Sequence, residues 1–302
     1  MNILAPIVVF TYNRPEHTLR TFNALLENPL ANESDIIIYS DSAKTANHNK
    51  SVDEVRSLLS EITGFRSKKV IHRDKNFGLA ESIIQGVTEV LQESEKVIVL
   101  EDDMVVSPYF LEYMNEALEQ FVEDDRVISV HGYVYPVDFE LPEAFFVKGA
   151  DCWGWATWRR GWEIFEPNGQ FLLDELMRRH LIQEFDYNGA YPYSNMLSAQ
   201  IKGANDSWAI RWHASAFLAD KLTLYPGRSL VHNSGNDGSG THCRNSDRME
   251  VKLSKTKINL DNIAVESSRI GREAFEIFFK QSQKSLLHQF FGKIKVFVQE
   301  KI

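Results

Sequence analysis

The chain has 302 residues, 43% of them hydrophobic and 25% charged, which is enough apolar material for a sizeable core and too balanced for a disordered polymer. A formal net charge of −9 argues against a surface built for nucleic acid. Two cysteines, Cys152 and Cys243, are too few for a disulfide framework, and no apolar run approaches the ~20 residues that span a bilayer. The opening Met-Asn-Ile-Leu-Ala-Pro has no basic stretch followed by a long apolar one, so a soluble, cytoplasmic protein is expected.

Strand and helix signals alternate through the first 130 residues. Ile7-Val8-Val9-Phe10 reads as a buried strand, and Pro15 opens a helix with Leu19, Phe22, Leu25 and Leu26 as its apolar face. Ile36-Ile37-Ile38-Tyr39 is a second strand, closing on Asp41. Ser51 and Glu54 stand at capping-box spacing and predict a helix opening there, with Val55, Leu58, Leu59 and Ile62 inward. Val70-Ile71 makes a short third strand. Leu79, Ile83, Val87, Val90 and Leu91 then mark an amphipathic helix. Lys96-Val97-Ile98-Val99-Leu100 is a fourth strand, Pro108 opens a helix, and Val127-Ile128-Ser129-Val130 is a further strand. Such repeated βα units predict an α/β fold with a mostly parallel sheet and right-handed crossovers. From about residue 131 aromatics become dense, and this half is expected to finish the sheet and shape a pocket over it.

The fourth strand runs straight into Glu101, Asp102 and Asp103. Adjacent carboxylates repel one another, so a fold keeps them on an exposed face or around a cation. At the carboxyl end of a buried strand, where open α/β sheets bind ligands, a hard ion such as Mg²⁺ or Mn²⁺ is the better reading. The plainer alternative is an acidic turn ahead of the helix at Pro108. The first βα junction, Phe10-Thr11-Tyr12-Asn13-Arg14-Pro15, lacks the glycine patterns of dinucleotide-binding folds and phosphate loops, which disfavours dehydrogenases and NTPases. Asp41 is placed to accept hydrogen bonds from a base or ribose, or to serve as a turn residue. Residues 153–162 hold four of the six tryptophans. Indole faces suit sugar C–H surfaces, yet Trp155, Trp158 and Trp162 fall at helical spacing, which favours core, and Trp158 and Trp162 are assigned to packing. Asp206 follows the loop-forming Lys202-Gly203-Ala204-Asn205 and is expected to be accessible, or else to cap a helix from Ser207. Gly235, Gly238 and Gly240 give a mobile loop of the kind that closes over a ligand.

Taken in order, Thr11-Tyr12-Asn13-Arg14-Pro15 at the first strand end, Asp41, Asn76-Phe77-Gly78-Leu79-Ala80 before a helix, and Glu101-Asp102-Asp103 resemble a GT-A-fold nucleotide-sugar glycosyltransferase. The amino-terminal part is similar to glycosyltransferase family two, and the later motifs to the N-acetylglucosaminyltransferase I type, over about residues 5–245. The resemblance implies a GT-A (Rossmann-like) central sheet flanked by helices. It also implies an inverting, metal-dependent hexosyltransferase, moving a sugar from a nucleotide-diphosphate sugar (a UDP-sugar first) to a hydroxyl of a glycan or lipid-linked glycan acceptor. The lack of a leader or spanning segment points to bacterial surface polysaccharide synthesis. Glu101-Asp102-Asp103 would be the DXD motif: Asp103 would ligate Mn²⁺ or Mg²⁺, Asp102 would face the donor sugar, and Glu101 would lie near the ribose. Thr11, Arg14 and Asp41 would line the nucleotide pocket. Trp153-Gly154-Trp155 would be the Gly-Trp turn beside the donor sugar, with Asp151 near sugar hydroxyls. Asp206 would be the catalytic base.

His242 would add a second metal ligand on loop closure, His232 having less support, and Arg228 or Arg244 would neutralise the diphosphate. The alternative is a flexible surface loop with incidental histidines. A catalytic domain over 1–280 is expected, divided into a nucleotide-binding half (1–130) and an acceptor-binding half (131–280). It is followed by an amphipathic helix, 281–302. Leu286, Leu287, Phe290, Phe291, Ile294, Phe297 and Val298 share one face of that helix, with Lys284, Lys293, Lys295 and Lys301 beside it. The segment 284–298 would lie peripherally on the inner face of the cytoplasmic membrane, or dock on a second subunit or the catalytic domain. Two other classes stay open. A sugar nucleotidyltransferase needs a Gly-rich basic loop after strand one, which Phe10-Thr11-Tyr12-Asn13-Arg14 does not supply. A non-catalytic carbohydrate-binding protein on the same scaffold would bind without turnover.

Overall fold

Alternating apolar runs and proline or glycine punctuation produce a layered α/β protein. The computed structural model describes residues 3–237 and 247–283. Its elements in order are β1 (Ile7–Thr11), α1 (Pro15–Leu26), β2 (Asp35–Ser40), α2 (Asn49–Glu61), β3 (Ser67–His72), α3 (Gly78–Glu93), β4 (Lys96–Glu101), β5 (Met104–Val106) and α4 (Phe110–Gln120). The second half supplies β6 (Val127–His131), β7 (Ala144–Lys148), β8 (Trp155–Trp158), α5 (Arg159–Trp162), α6 (Gly169–Arg178), α7 (Ile182–Phe185), α8 (Tyr193–Ile201), α9 (Trp208–Leu218), β9 (Leu222–Pro226) and β10 (Val231–Asn233). A final helix, α10, runs over 269–283, where the described residues end. The 284–298 face and most of the expected helix 281–302 lie outside them. Among the described residues no helix is long and apolar enough to cross a membrane.

One eight-stranded sheet, in the order β3-β2-β1-β4-β8-β6-β9-β7, organises the chain, and β5 with β10 forms a separate two-stranded ribbon. Strands β1 to β4 are parallel and in tight register, with Thr11 opposite Ser40 and Phe10 opposite Glu101. Strand β8 runs antiparallel to both β4 and β6, so its first residue, Trp155, lies at the sheet edge that receives the ends of β1, β2 and β4. The sheet is mostly parallel, as the βα repeats predict.

Period-two geometry sends successive side chains to opposite faces, and both faces are covered. Ile7, Val9, Ile36, Ile38, Ile98 and Leu100 enter one core with Phe22, Leu25, Val55 and Leu59. Val8, Phe10, Val97 and Val99 enter the other with Ile83, Val87 and a group of tryptophans. This double burial is why the strands read as continuous apolar runs.

Several local expectations shift. Helix α1 buries His17, Thr18 and Thr21 along with Phe22 and Leu25, while Leu19 stays 45% exposed. Helix α2 opens at Asn49, not at the Ser51–Glu54 box, and the Ser51 hydroxyl donates back to the His48 carbonyl at 3.0 Å. Pro108 sits in the turn ahead of α4 rather than at its start. Ser207, not Asp206, caps α9, its hydroxyl accepting from the Ile210 N–H at 3.2 Å.

The tryptophan spacing also has a different origin. Trp155 and Trp158 occupy a strand, three residues apart, so they point to opposite faces. Trp158 donates its indole N–H to the Leu118 carbonyl at 3.0 Å, and Trp162 donates to Thr88 Oγ1 at 2.9 Å, both as packing residues. Trp155 is 1% exposed, with ring centroids of Trp162, Trp208 and Trp212 at 5.7, 5.4 and 5.9 Å. Its indole therefore has no free face for a sugar, which corrects the expectation of direct ligand contact. Trp155→Ala should cost about 3–5 kcal/mol of stability, the range for a large buried aromatic. Urea unfolding of the purified variant checks this, and a loss below about 1 kcal/mol would contradict the packing role.

Candidate active site

The site forms where β1, β2 and β4 stop. Residue Arg14 immediately precedes α1, and Pro15 fixes the first helical turn. The Arg14 carbonyl accepts from the Thr18 N–H at 2.9 Å and the Thr18 hydroxyl at 2.8 Å, pinning the backbone. From there the guanidinium crosses to β4. One nitrogen, Nη2, donates to Asp102 Oδ1 and, at 2.8 Å, to Asp103 Oδ2. Burial alone would lower the Arg14 pKa, but Asp102 and Asp103 together outweigh it and hold the guanidinium firmly charged.

The three carboxylates differ. Asp102 accepts the Tyr12 N–H at Oδ2 (3.2 Å), and its carbonyl accepts the Thr21 hydroxyl at 2.9 Å. Burial lifts its pKa to about 6 in spite of Arg14. Glu101, half-buried, is pushed up to about 8, by burial first and then by Asp103 and Asp102. Asp103 is buried, and among the described residues its Oδ1 has no hydrogen-bond donor. A buried carboxylate oxygen without a partner is costly unless something else, such as a cation, takes it up.

The ribbon of β5 and β10 closes this corner. Asn233 pairs with Met104, and the Ser234 N–H and hydroxyl both donate to the Asp103 carbonyl, at 2.8 and 3.0 Å. The next residue, Gly235, lies against the ion pair. A Cβ added there would stand 2.1 Å from Asp103 Oδ2 and 3.0 Å from Arg14 Nη1, so no side chain fits. Sequence reading saw this glycine as loop mobility and missed its contact, because the β5–β10 pairing that brings it here is long-range.

Asp41 is buried and its carboxylate is spent on the chain itself. Oδ1 accepts the Ser42 and Phe77 N–H groups at 2.8 and 2.9 Å, and Oδ2 accepts Asn76 Nδ2 and the Gly78 N–H at 3.0 and 2.9 Å. Four donors fill its acceptor sites and tie the end of β2 to the start of α3. Asp41 therefore fits the turn alternative, and Asn76-Phe77-Gly78 is its partner. Thr11 is likewise turned inward, its hydroxyl donating to the Tyr39 carbonyl at 3.2 Å.

The Trp153-Gly154 turn does reach the corner. The Trp153 N–H donates to His131 Nε2 at 3.0 Å, and its ring, half-buried, packs on Tyr133 at 4.8 Å. Gly154 has φ +60°, and a Cβ there would stand 2.6 Å from Val231 Cγ2, so glycine is required on both counts. The Cys152 thiol is raised far above its ordinary value by burial, then by Asp151, Glu101 and Asp103. Asp151 accepts from the Tyr135 hydroxyl at 3.1 Å.

Other expected residues stand apart. Arg228 makes a two-armed pair with Glu143, both contacts 2.7 Å, three strands away from β4 in the sheet order. With its guanidinium engaged there, it does not face the acidic corner. Asp206 is exposed at the start of α9, near Arg211, and among the described residues no hydrogen bond joins it to the carboxylates. His232 lies in β10 opposite Val105. His242 and Arg244 fall outside the described residues. Among the described residues no three His, Cys, Asp or Glu side chains converge tightly enough to hold an ion. A cation at Asp103 Oδ1 would draw its other ligands from water or from a bound molecule, as Mg²⁺ and Mn²⁺ commonly do.

Residues 7–163, more than half of the chain, match the family described as Glycosyl transferase family 2. The chain belongs to that family. Its sheet and flanking helices are those of a GT-A glycosyltransferase. Similar solved structures include the mannosyltransferase PcManGT from Pyrobaculum calidifontis, in complex with GDP-Man and Mn²⁺. It is 12% identical, with 44% of this chain and 36% of that one covered and a TM-score of 0.31. Two structures of S. aureus TarS are also similar. One is 15% identical, covering 49% and 24% of the two chains at a TM-score of 0.32. The other, residues 1–349, is 12% identical, covering 78% and 61% at 0.39. This family 2 chain therefore matches less than two thirds of each of those structures. Comparison with curated proteins gave no match.

Two predictions follow from the carboxylates. Glu101 has a folded pKa of about 8 against an ordinary 4.5, so the folded protein holds an extra proton between those values. Its contribution to stability is complete below pH 4.5 and is lost as pH rises through 8. Without added divalent ions, stability should therefore fall more steeply between pH 4.5 and 8 in the natural protein than in Glu101→Gln, measured by chemical unfolding across that range; parallel profiles would contradict it. Asp41→Asn aims an amide N–H₂ at existing donors and should cost about 1.5–3 kcal/mol, again by unfolding; an unchanged midpoint would contradict the network.

Proposed function

We propose that this chain is an inverting, metal-dependent glycosyltransferase that moves a hexose from a nucleotide-diphosphate sugar, with UDP-sugars the first choice, to a hydroxyl of a glycan or lipid-linked glycan. Surface polysaccharide synthesis is the setting we assign to it. One observation carries the reading: in a family 2 chain, a buried aspartate oxygen, Asp103 Oδ1, stands without a donor at the carboxyl end of β4. The hard oxygen donors of the acidic run fit Mn²⁺ or Mg²⁺.

Asp103 would hold that ion, with Asp102 facing the donor sugar and Glu101 lying near the ribose. When bound, the ion supplies charge neutralisation for the departing diphosphate. The chain's own residues would do the rest. Arg14 reaches the same corner from α1 and can hold phosphate oxygens through its planar fork. Trp153, its backbone N–H donating to His131 and its half-buried indole packed on Tyr133, would serve as a platform for the transferred sugar. Asp206, exposed and ionisable, would take the proton from the acceptor hydroxyl at its carboxylate. Gly235 and the β5–β10 ribbon cover the corner from the second half, which keeps bulk water from the reacting centre. In this reading residues 1–130 bind the nucleotide and 131–280 the acceptor.

Screening nucleotide-sugars for thermal stabilisation with and without Mn²⁺ tests donor binding. Asp103→Ala should remove the metal-dependent part of that stabilisation and lower transfer at least a hundredfold, a loss of about 2.7 kcal/mol in transition-state terms. Asp206→Asn should keep donor stabilisation while losing transfer to a similar extent. Full activity in Asp103→Ala would overturn the metal assignment, and normal turnover in Asp206→Asn would move the base elsewhere.

A further inference from the structure

The two groups that would meet a metal and a diphosphate already neutralise each other. Arg14 spans Asp102 and Asp103 with one nitrogen, and these side chains are 19%, 5% and 8% exposed. Its main chain is fixed at the start of α1 by Pro15 and by the two donations from Thr18. Gly235 lies on the pair so closely that a Cβ would strike both Asp103 Oδ2 and Arg14 Nη1. The guanidinium is thus held by both its own backbone and its cover. It takes one oxygen of Asp103 and leaves the other, Oδ1, open.

We infer that Arg14 is a resident counter-cation that keeps the protein a weak binder of free divalent ions, so that metal loads together with a diphosphate. The inference rests on the metal assignment to Asp103 made above. An ion arriving at Oδ1 meets a positive guanidinium on the same carboxylate, in a site with little water to screen them. Hard-ion affinity follows the count of negative ligand charges, and Arg14 cancels one of those that Asp102 and Asp103 supply. A diphosphate reverses the balance. It brings several negative oxygens to the ion and offers Arg14 the planar, two-pronged partner that guanidinium prefers to a single carboxylate oxygen. Metal and diphosphate therefore bind cooperatively, and Arg14 sets the size of the coupling. Its role toward the ion is that of a specificity-determining residue, which admits the complex and rejects the bare cation.

The test is Mn²⁺ binding to the full chain, by calorimetry and by the electron spin resonance of free Mn²⁺, with and without UDP. In the natural protein UDP should tighten Mn²⁺ binding at least tenfold. Arg14→Gln should bind Mn²⁺ alone at least tenfold tighter than the natural protein, with a much smaller gain from UDP. Arg14→Lys, which keeps a charge but loses the fork, should fall between. A folded Arg14→Gln, shown so by its thermal transition, that binds Mn²⁺ no more tightly overturns the inference. Should Arg14→Gln not fold, Arg14→Lys decides, and an affinity equal to the natural protein's overturns it. Asp103→Asn separates the two levels. If it binds Mn²⁺ as the natural protein does, the metal assignment fails and this inference with it. If it loses Mn²⁺ while the Arg14 variants gain nothing, only the role of Arg14 fails.

Discussion

Two adjacent aspartates are carried into the protein on the end of a buried strand, and one guanidinium meets both. Desolvating charges costs several kcal/mol per ion even after relaxation, so such a cluster persists only where geometry and additional hydrogen bonds offset that cost. Here the offsets come from distinct elements. The connection from β1 to α1 supplies the Tyr12 N–H and the Arg14 guanidinium, the ribbon lays Ser234 against the Asp103 carbonyl, and α1 adds Thr21 to the carbonyl of Asp102. Compensation is incomplete, since Asp103 Oδ1 stays unpaired and Glu101 and Asp102 are raised towards their neutral forms.

The end of β2, on the other side of β1, shows the opposite use of the same residue type. Asp41 has four donors and no capacity left, so its charge goes into fixing the entry to α3. Residues 41–42 and 76–78 thereby become a rigid wall for the cleft. Two aspartates at the ends of β2 and β4, with β1 between them in the sheet, thus differ: Asp41 builds the frame, and Asp103 keeps one oxygen without a donor among the described residues. Backbone N–H groups decide which is which, because they converge on Asp41 and are absent from Asp103 Oδ1.

What the sequence reveals follows the range of the interactions. Strands β1, β2, β4 and β6 are buried on both faces and leave uninterrupted apolar runs, so they are legible directly. The acidic run is legible because it ends such a strand. Trp155 and Trp158 misled because three residues separate them, which suits a helix turn as well as opposite faces of a strand, and only pairing with β4 and β6 decides. The Ser51–Glu54 box is a local pattern that lost to an earlier start at Asn49. Arg228 looked like a phosphate ligand because nothing in its own segment shows Glu143, which approaches it from far along the chain. Gly235 and the saturation of Asp41 were hidden for the same reason. Each depends on partners that only the sheet order assembles.

The reversed direction of β8 shapes more than the sheet. A parallel strand in that slot would spend its carboxyl end at the ligand edge and leave its amino end buried beneath. Running backwards, β8 hands Trp153-Gly154 to the cleft on the way in, and the chain then exits on the far side through α5. The link from Glu163 to Asn168 then runs back along α9, the Glu166 N–H donating to Ser215 Oγ at 3.0 Å and the Pro167 carbonyl accepting from Arg211 Nη1 at 3.3 Å, so the exit from β8 braces the helix that follows Asp206.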